Sequence, residues 1–235
     1  MTKAKPPAKP AVKTVQQLPL FNFDPEVTTL APLDSPSADE PVSPFGKYVV
    51  YDVDSFFYDN FNGMIDSSFY QIKEVVDSKF TDLEDDEAFK IVRYRKESDT
   101  TNWVLIDVWQ SKLTTTNFQK VEENVRFVKL IFPINKDATW NGNILNNETD
   151  QVYDYTSVDK IETIGGNTIN NVLTVNQFEE VNLIEEKMFE EKYAKGIGMV
   201  YKKSVDLTKE YNSATGEFER SLGFDITMTL SSYGN

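Results

Sequence analysis

Between Lys192 and Lys203 the chain places a G-x-G pair, Gly196 and Gly198, among Lys192, Lys195, Lys202 and Lys203. Glycines beside lysines are the ingredients of a phosphate-binding loop, but such a loop needs more than ingredients. A dinucleotide fingerprint carries a third glycine three residues further on and then opens a helix; that position is Tyr201 here. The Walker pattern G-x-x-x-x-G-K-[S/T] is also missing. The residues after Gly198 alternate Met199 and Tyr201 with Val200 and Lys202, the rhythm of a strand. Gly196 and Gly198 therefore read as a structural turn, with the lysines as solvent-facing charges on a hairpin and no nucleotide bound.

The acid run "DLEDDEAF" (82–89) invites a calcium reading. An EF-hand, however, needs oxygens at alternate positions, a central glycine and a glutamate at position twelve, and this register is not met. A solvated hairpin tip is the simpler expectation, and "NNETD" (146–150) reads as a polar loop, although Asn147-Glu148-Thr149 matches a glycosylation acceptor. The chain has neither cysteine nor histidine. That removes disulfides, thiolate nucleophiles, thiolate metal sites, the Ser-His-Asp triad and the commonest transition-metal ligand. Carboxylates, lysines and tyrosines are left for any chemistry. A carboxylate-dependent hydrolase stays open as an alternative, because sequence spacing does not reveal two carboxyls facing across a cleft. No catalytic residue, cofactor or metal ligand is assigned, and the expectation is a protein that is not an enzyme.

Aromatic residues carry more information. Trp103 and Trp109 are six residues apart on a predicted strand, on one face with Leu105, and Trp140 lies in the predicted turn "TWNGN". With sixteen Phe and eleven Tyr, this load fills a core or lines a concave groove for an apolar ligand or partner peptide. A second apolar island, "LPLFNF" with Leu20, Phe21 and Phe23, either packs on the outside of the domain or serves as a linear motif. These seven residues form the candidate ligand or partner surface.

The elements that must hold these residues are strands. Nine of ten prolines lie at or before Pro44, which divides the chain into a Pro-rich tether, 1–46, and a folded domain, 47–235. "KYVVYDVDSFF" puts Val49, Tyr51 and Val53 on one face, and "LGFDITMTL" (222–230) alternates Leu222, Phe224, Ile226, Met228 and Leu230 against polar residues. Turn signals stand at Asn62–Gly63, "SDTTN" and Gly165–Gly166. "FQKVEENVRFVKLIFPI" starts with weak helical spacing and ends as a strand at Pro133, while "NLIEEKMFEEKYAKG" leans to strand. The predicted class is mainly β, an antiparallel curved sheet forming a sandwich or open barrel.

Net charge is −14, which argues against nucleic acid and against unaided docking on an anionic membrane surface. No apolar run approaches the roughly 18–20 residues that span a bilayer as a helix. The start, "MTKAKPPAKPAVK", has charge but no apolar core, so it is not itself a secretory signal.

Four stretches in this order, "KYVVYDVDSFFYDNF" (47–61), "RFVKLIFPI" (126–134), "TWNGN" (139–143) and "EKYAKGIGMVYKK" (191–203), resemble a family of uncharacterised lipoproteins of Bacteroidota bacteria. The resemblance covers roughly residues 45–205. It implies an envelope β domain anchored by a lipid on a cysteine ahead of the tether. This chain lacks that cysteine. The expectation is that a signal peptide and lipid-bearing cysteine precede the tether natively, the alternative being a native Met1 and a cytoplasmic protein. "DTT" at Asp99–Thr101 is similar to the short O-glycosylation motif of exported proteins in that phylum. The family brings no catalytic residues. The resulting expectation is a non-catalytic lipoprotein at the periplasmic or surface face of the outer membrane. It would have protein partners and act as a binding or accessory subunit of an outer-membrane-associated assembly. A periplasmic carrier or sensor of an apolar ligand is the second reading.

Overall fold

A computed structural model describes residues 46–60 and 64–235. The described chain is all-β and builds one 12-stranded antiparallel sheet that curls into a nearly closed barrel, the open-barrel form of the expected class. The Pro-rich segment, including Leu20, Phe21 and Phe23, and the Asn62–Gly63 turn signal lie outside the described residues.

The first six strands are β1 (Tyr48–Asp59), β2 (Met64–Thr81), β3 (Glu87–Lys96), β4 (Val104–Leu113), β5 (Asn117–Glu122) and β6 (Val125–Ile131). The second six are β7 (Thr139–Asn141), β8 (Val152–Ile164), β9 (Asn167–Val181), β10 (Glu185–Ala194), β11 (Gly198–Asn212) and β12 (Glu217–Gly234). Their order across the sheet is β6-β5-β4-β3-β2-β1-β12-β11-β10-β9-β8-β7. β1 and β12 meet at its centre, with Tyr48 opposite Gly234 and Tyr58 opposite Gly223.

Alternation explains most of this. Val49, Tyr51 and Val53 face inward while Asp52 and Asp54 face out, and Ile226, Met228 and Leu230 complete the same inner face from β12. The hairpin turns follow local backbone chemistry. Gly165 and Gly166 turn β8 into β9 with φ of 56° and 79°, and Gly196 (φ 81°) and Gly198 (φ 109°) turn β10 into β11 as expected. The segment with weak helical spacing is instead the β5–β6 hairpin. Glu123 and Asn124 both take left-handed φ there, 48° and 63°, the geometry of a two-residue I′ turn.

The barrel closes where its two edge strands meet. Val128 N–H donates to Gly142 O over 2.9 Å, and the Trp140 indole Nε1–H donates to Val128 O over 2.9 Å. Lower down, the Tyr155 hydroxyl both accepts from Ile131 N–H (2.9 Å) and donates to Ile131 O (2.8 Å). The Asn146 amide donates to Arg126 O over 2.8 Å. Gly142 is needed at this seam because a Cβ there would sit 2.3 Å from the Tyr153 ring. "TWNGN" is thus not simply a turn: Trp140 lies in strand β7 and packs its ring 4.7 Å from Tyr155 and 5.8 Å from Tyr153.

Candidate functional site

The barrel interior carries charge. On β2 the inward residues Ile72, Glu74 and Val76 share one face, and Glu74 is fully buried. Arg93 lies directly opposite on β3 and donates from Nε to Glu74 Oε1 over 2.8 Å. It also donates from Nη1 to Asp107 Oδ2 over 2.8 Å, and its guanidinium stacks 3.8 Å from the Trp109 ring centroid. Lys120 of β5 reaches Glu74 Oε2 at 3.5 Å and lies over the Trp109 ring, 4.6 Å from its centroid. Across the barrel Glu191 of β10 accepts from Lys129 (3.2 Å) and Lys202 (3.1 Å) at one oxygen and from the Tyr193 hydroxyl (2.6 Å) at the other. Lys129 also faces Glu122 at 3.4 Å. Three buried acids (Glu74, Glu122, Glu191) and the part-exposed Asp107 thus meet four buried bases (Arg93, Lys120, Lys129, Lys202). Their desolvation is tolerable only because the charges pair.

This overturns one reading of the opening motif. Lys202 does not face solvent; it is 1 % exposed and holds Glu191. Lys192 and Lys203 do sit at the surface layer, on Glu162 (2.6 Å) and Asp225 (2.5 Å).

The titration of the interior follows from burial and neighbours. Burial pulls the Lys120 ammonium down to about 7, against the opposing pull of Glu74 and Glu122. Burial likewise lowers Lys202 to about 8, against Glu191. For Glu191 burial pushes upward, but Lys129 and Lys202 prevail and hold it at about 2. Burial also opposes the charge of Lys129, yet Glu122 and Glu191 keep its pKa above the usual lysine value. Burial raises Tyr51 and Tyr193 well above the ordinary phenol value, and Tyr153 to about 12.

An unfolded lysine keeps its proton to about pH 10.4. Between the folded values of Lys120 and Lys202 and that value, the unfolded state binds more protons, so these two groups make stability rise with pH. Above roughly pH 10 the unfolded chain sheds phenolic protons first and the slope reverses. Urea midpoints are therefore expected to climb from pH 7 toward about pH 10 and fall beyond it. A midpoint that falls steadily from pH 7 upward would contradict this arrangement.

The acid run sits at the β2–β3 tip as expected, and its three converging carboxylates already hold a cation. Lys112 of β4 places Nζ 2.8 Å from Asp82, 2.6 Å from Glu84 and 2.6 Å from Asp86. Its hydrogen bond brings Asp82 down to about 2. That stabilisation is present above the unfolded aspartate value, about 3.9, and is lost as pH falls through the folded one. In Lys112→Ala the Asp82 carboxyl, followed by NMR, should titrate above its ordinary value because three like charges then crowd together. A midpoint that stays near that of the parent would refute the assignment.

The tryptophan face predicted for Trp103, Leu105 and Trp109 breaks apart. A bulge in β4 opposite Arg93/Tyr94 shifts the alternation by one residue, so Trp109 points into the core while Leu105 is exposed. Trp103 precedes the strand and lies under the Lys96 ammonium at 5.8 Å. Trp109 and Trp140 are core and seam residues, not an open surface.

Exposed apolar side chains collect elsewhere. The β1–β2, β3–β4, β9–β10 and β11–β12 hairpins all lie at one end of the barrel, here the upper end. Ile65, Phe69, Leu183, Ile184 and Tyr211 are exposed there, together with Phe57, Val181 and Leu222. Phe56 packs edge-on to Phe69 at 5.9 Å, and Tyr211 packs on Phe218 at 5.5 Å, so the rim is ordered. Alternation alone did not single this rim out, because its residues are spread over strands distant in sequence. Gly46, where the described chain begins, bonds to Val76 O at the lower end.

Fold and site together define a class: an antiparallel β-barrel in two meanders, with a charged, filled interior and an apolar rim. Comparison with protein-family models, curated proteins and solved structures gives no match.

Proposed function

We propose that this chain is a non-catalytic binding or accessory subunit of an assembly at the outer membrane, tethered natively through its N-terminal arm. The observation that carries this reading is the group of exposed apolar side chains at the upper rim, set among exposed acids such as Asp66, Glu179 and Glu217. The interior carboxylates and amines neutralise one another across the barrel, whereas apolar side chains crowd the upper rim, as on surfaces that meet a partner. The arm joins at the lower end, so a tethered molecule would present the rim away from its anchor. Inner positions taken by Tyr51, Arg93, Lys120, Tyr193 and Lys202 favour binding outside the barrel over carriage of an apolar ligand inside it. The envelope location and the lipid rest on the resemblance of the four stretches above.

Fractionation of the native source tests the reading. The expected result is protein in the outer-membrane fraction carrying an N-terminal lipid, cross-linked to a partner through the rim. Unlipidated protein confined to the cytosol would overturn it.

A further inference from the structure

Not all of the barrel wall is the same height. On β4 the pairing with β5 begins only at Gln110, opposite Val121, and the β5 chain turns at Glu123–Asn124. Residues 104–109 are paired to β3 on one side and, among the described residues, to no strand on the other. Beyond the short strands, the matching strand is β9. Its last partner on β8 is Asp154, opposite Asn176; Gln177 is a bulge, and residues 178–181 pair with β10 alone. The upper wall therefore has a notch, floored by the β5–β6 and β7–β8 hairpins and flanked by two open strand edges.

The notch has the features of a strand-binding site. Val104, Leu105 and Val108 on one flank and Val181 on the other are all more than half exposed. At the foot of β4 lies a depression of about 130 Å³ bordered by Asp107, Val108, Glu123 and Asn124. On β9, Gln177 is 2 % exposed and its amide donor Nε2 has no hydrogen-bond partner. An edge that presents unpaired backbone groups is a template for another chain. Asp107 Oδ2 is already held by Arg93, so the exposed Glu123 carboxylate makes the foot of this one acidic, which suits a lysine or arginine side chain.

We propose that the notch binds an extended peptide segment of a partner protein. The segment would add as a strand to β4 residues 104–109, with apolar side chains on Leu105 and Val108, which the bulge puts on one face, and a basic side chain seated on Glu123 beside Asp107. Main-chain hydrogen bonds would supply affinity, and the acidic foot would supply register. The proposal rests on the reading of the chain as a binding subunit and names where on it the partner docks.

The test uses the full chain and a fluorescein-labelled peptide TVKVTVT as probe. Saturable binding is expected, with new hydrogen-exchange protection confined to residues 104–109. Val108→Lys and Glu123→Lys, both surface changes, should each weaken binding by about tenfold or more, since edge lysines and reversed charge oppose strand addition. Replacing the peptide lysine by glutamate, or N-methylating its alternate amides, should do the same. Equal binding of the N-methylated peptide would overturn the proposal, and so would protection of 104–109 in the free monomer, which would mean the edge is already covered. Self-association abolished by Val108→Lys would overturn it in favour of a second copy. A native partner retained by both variants would refute the notch while leaving the binding role intact; absence of any partner would refute both.

Discussion

Glu191→Gln is expected to destabilise the fold by about 3–5 kcal/mol, the usual cost of removing one member of a buried ion pair. The substitution keeps shape and volume, so packing is unchanged and the effect is electrostatic. Lys202 loses the Glu191 carboxylate at 3.1 Å, and Lys129 keeps Glu122 at 3.4 Å. Each lysine is about 1 % exposed, so water does not replace the lost partner. Equilibrium urea unfolding reads the change directly. Adding Lys202→Met to Glu191→Gln should recover part of the loss, because it removes the buried ammonium that Glu191 held and leaves an apolar chain of similar length. A loss of under about 1 kcal/mol for Glu191→Gln, within the range of exposed pairs, would show that the interior is open to water.

The second large effect lies at the seam. Trp140→Ala should cost about 3–5 kcal/mol, the range for deleting a buried aromatic side chain. It removes the ring packed between Tyr153 and Tyr155 together with the indole donor to Val128 O. Trp140→Phe keeps most of the packing and leaves the Val128 carbonyl short of a partner, so a smaller loss of about 1–3 kcal/mol is expected. Hydrogen exchange distinguishes a local from a global role: fast exchange at Val128 in Trp140→Phe, with the β1–β12 ladder still protected, identifies Trp140 as the closure. Uniform loss of protection across all strands would refute a local seam.

Much of the fold was legible because the strands with one wet face announce themselves. Ile226, Met228 and Leu230 of the β12 run and Val49, Tyr51 and Val53 of β1 lie inside as alternation placed them, whereas Leu222, in the same phase, is exposed at the rim. The Gly165–Gly166 and Gly196–Gly198 turns also stand where their φ requirement puts them. The ionic interior was harder to read, since a lone lysine or glutamate in a strand resembles a solvated residue. A signal did exist in phase: Glu74 falls between Ile72 and Val76, and Lys120 follows Phe118 by two, each on the apolar side of its strand. Lys202 sits two residues from Val200 in the same way. Bulges erase that signal in places. The β4 bulge separates Leu105 from Trp109, and nothing in the local sequence marks it. The seam and the notch were out of reach because both depend on which strands end short of their neighbours.

The strand order also sets a timetable. All neighbouring pairs in the sheet except β1–β12 are consecutive in the chain, so ten of the eleven contacts in the order are hairpins. Each six-strand half can therefore zip from local turns, with little loop entropy to overcome. The β1–β12 ladder instead joins residues near the two ends of the folded domain, Tyr48 with Gly234. Long-range pairing of this kind is the slow step in β proteins. The two halves thus wait on the last strand to be made, and until β12 docks, β1 keeps an open edge at what becomes the middle of the sheet.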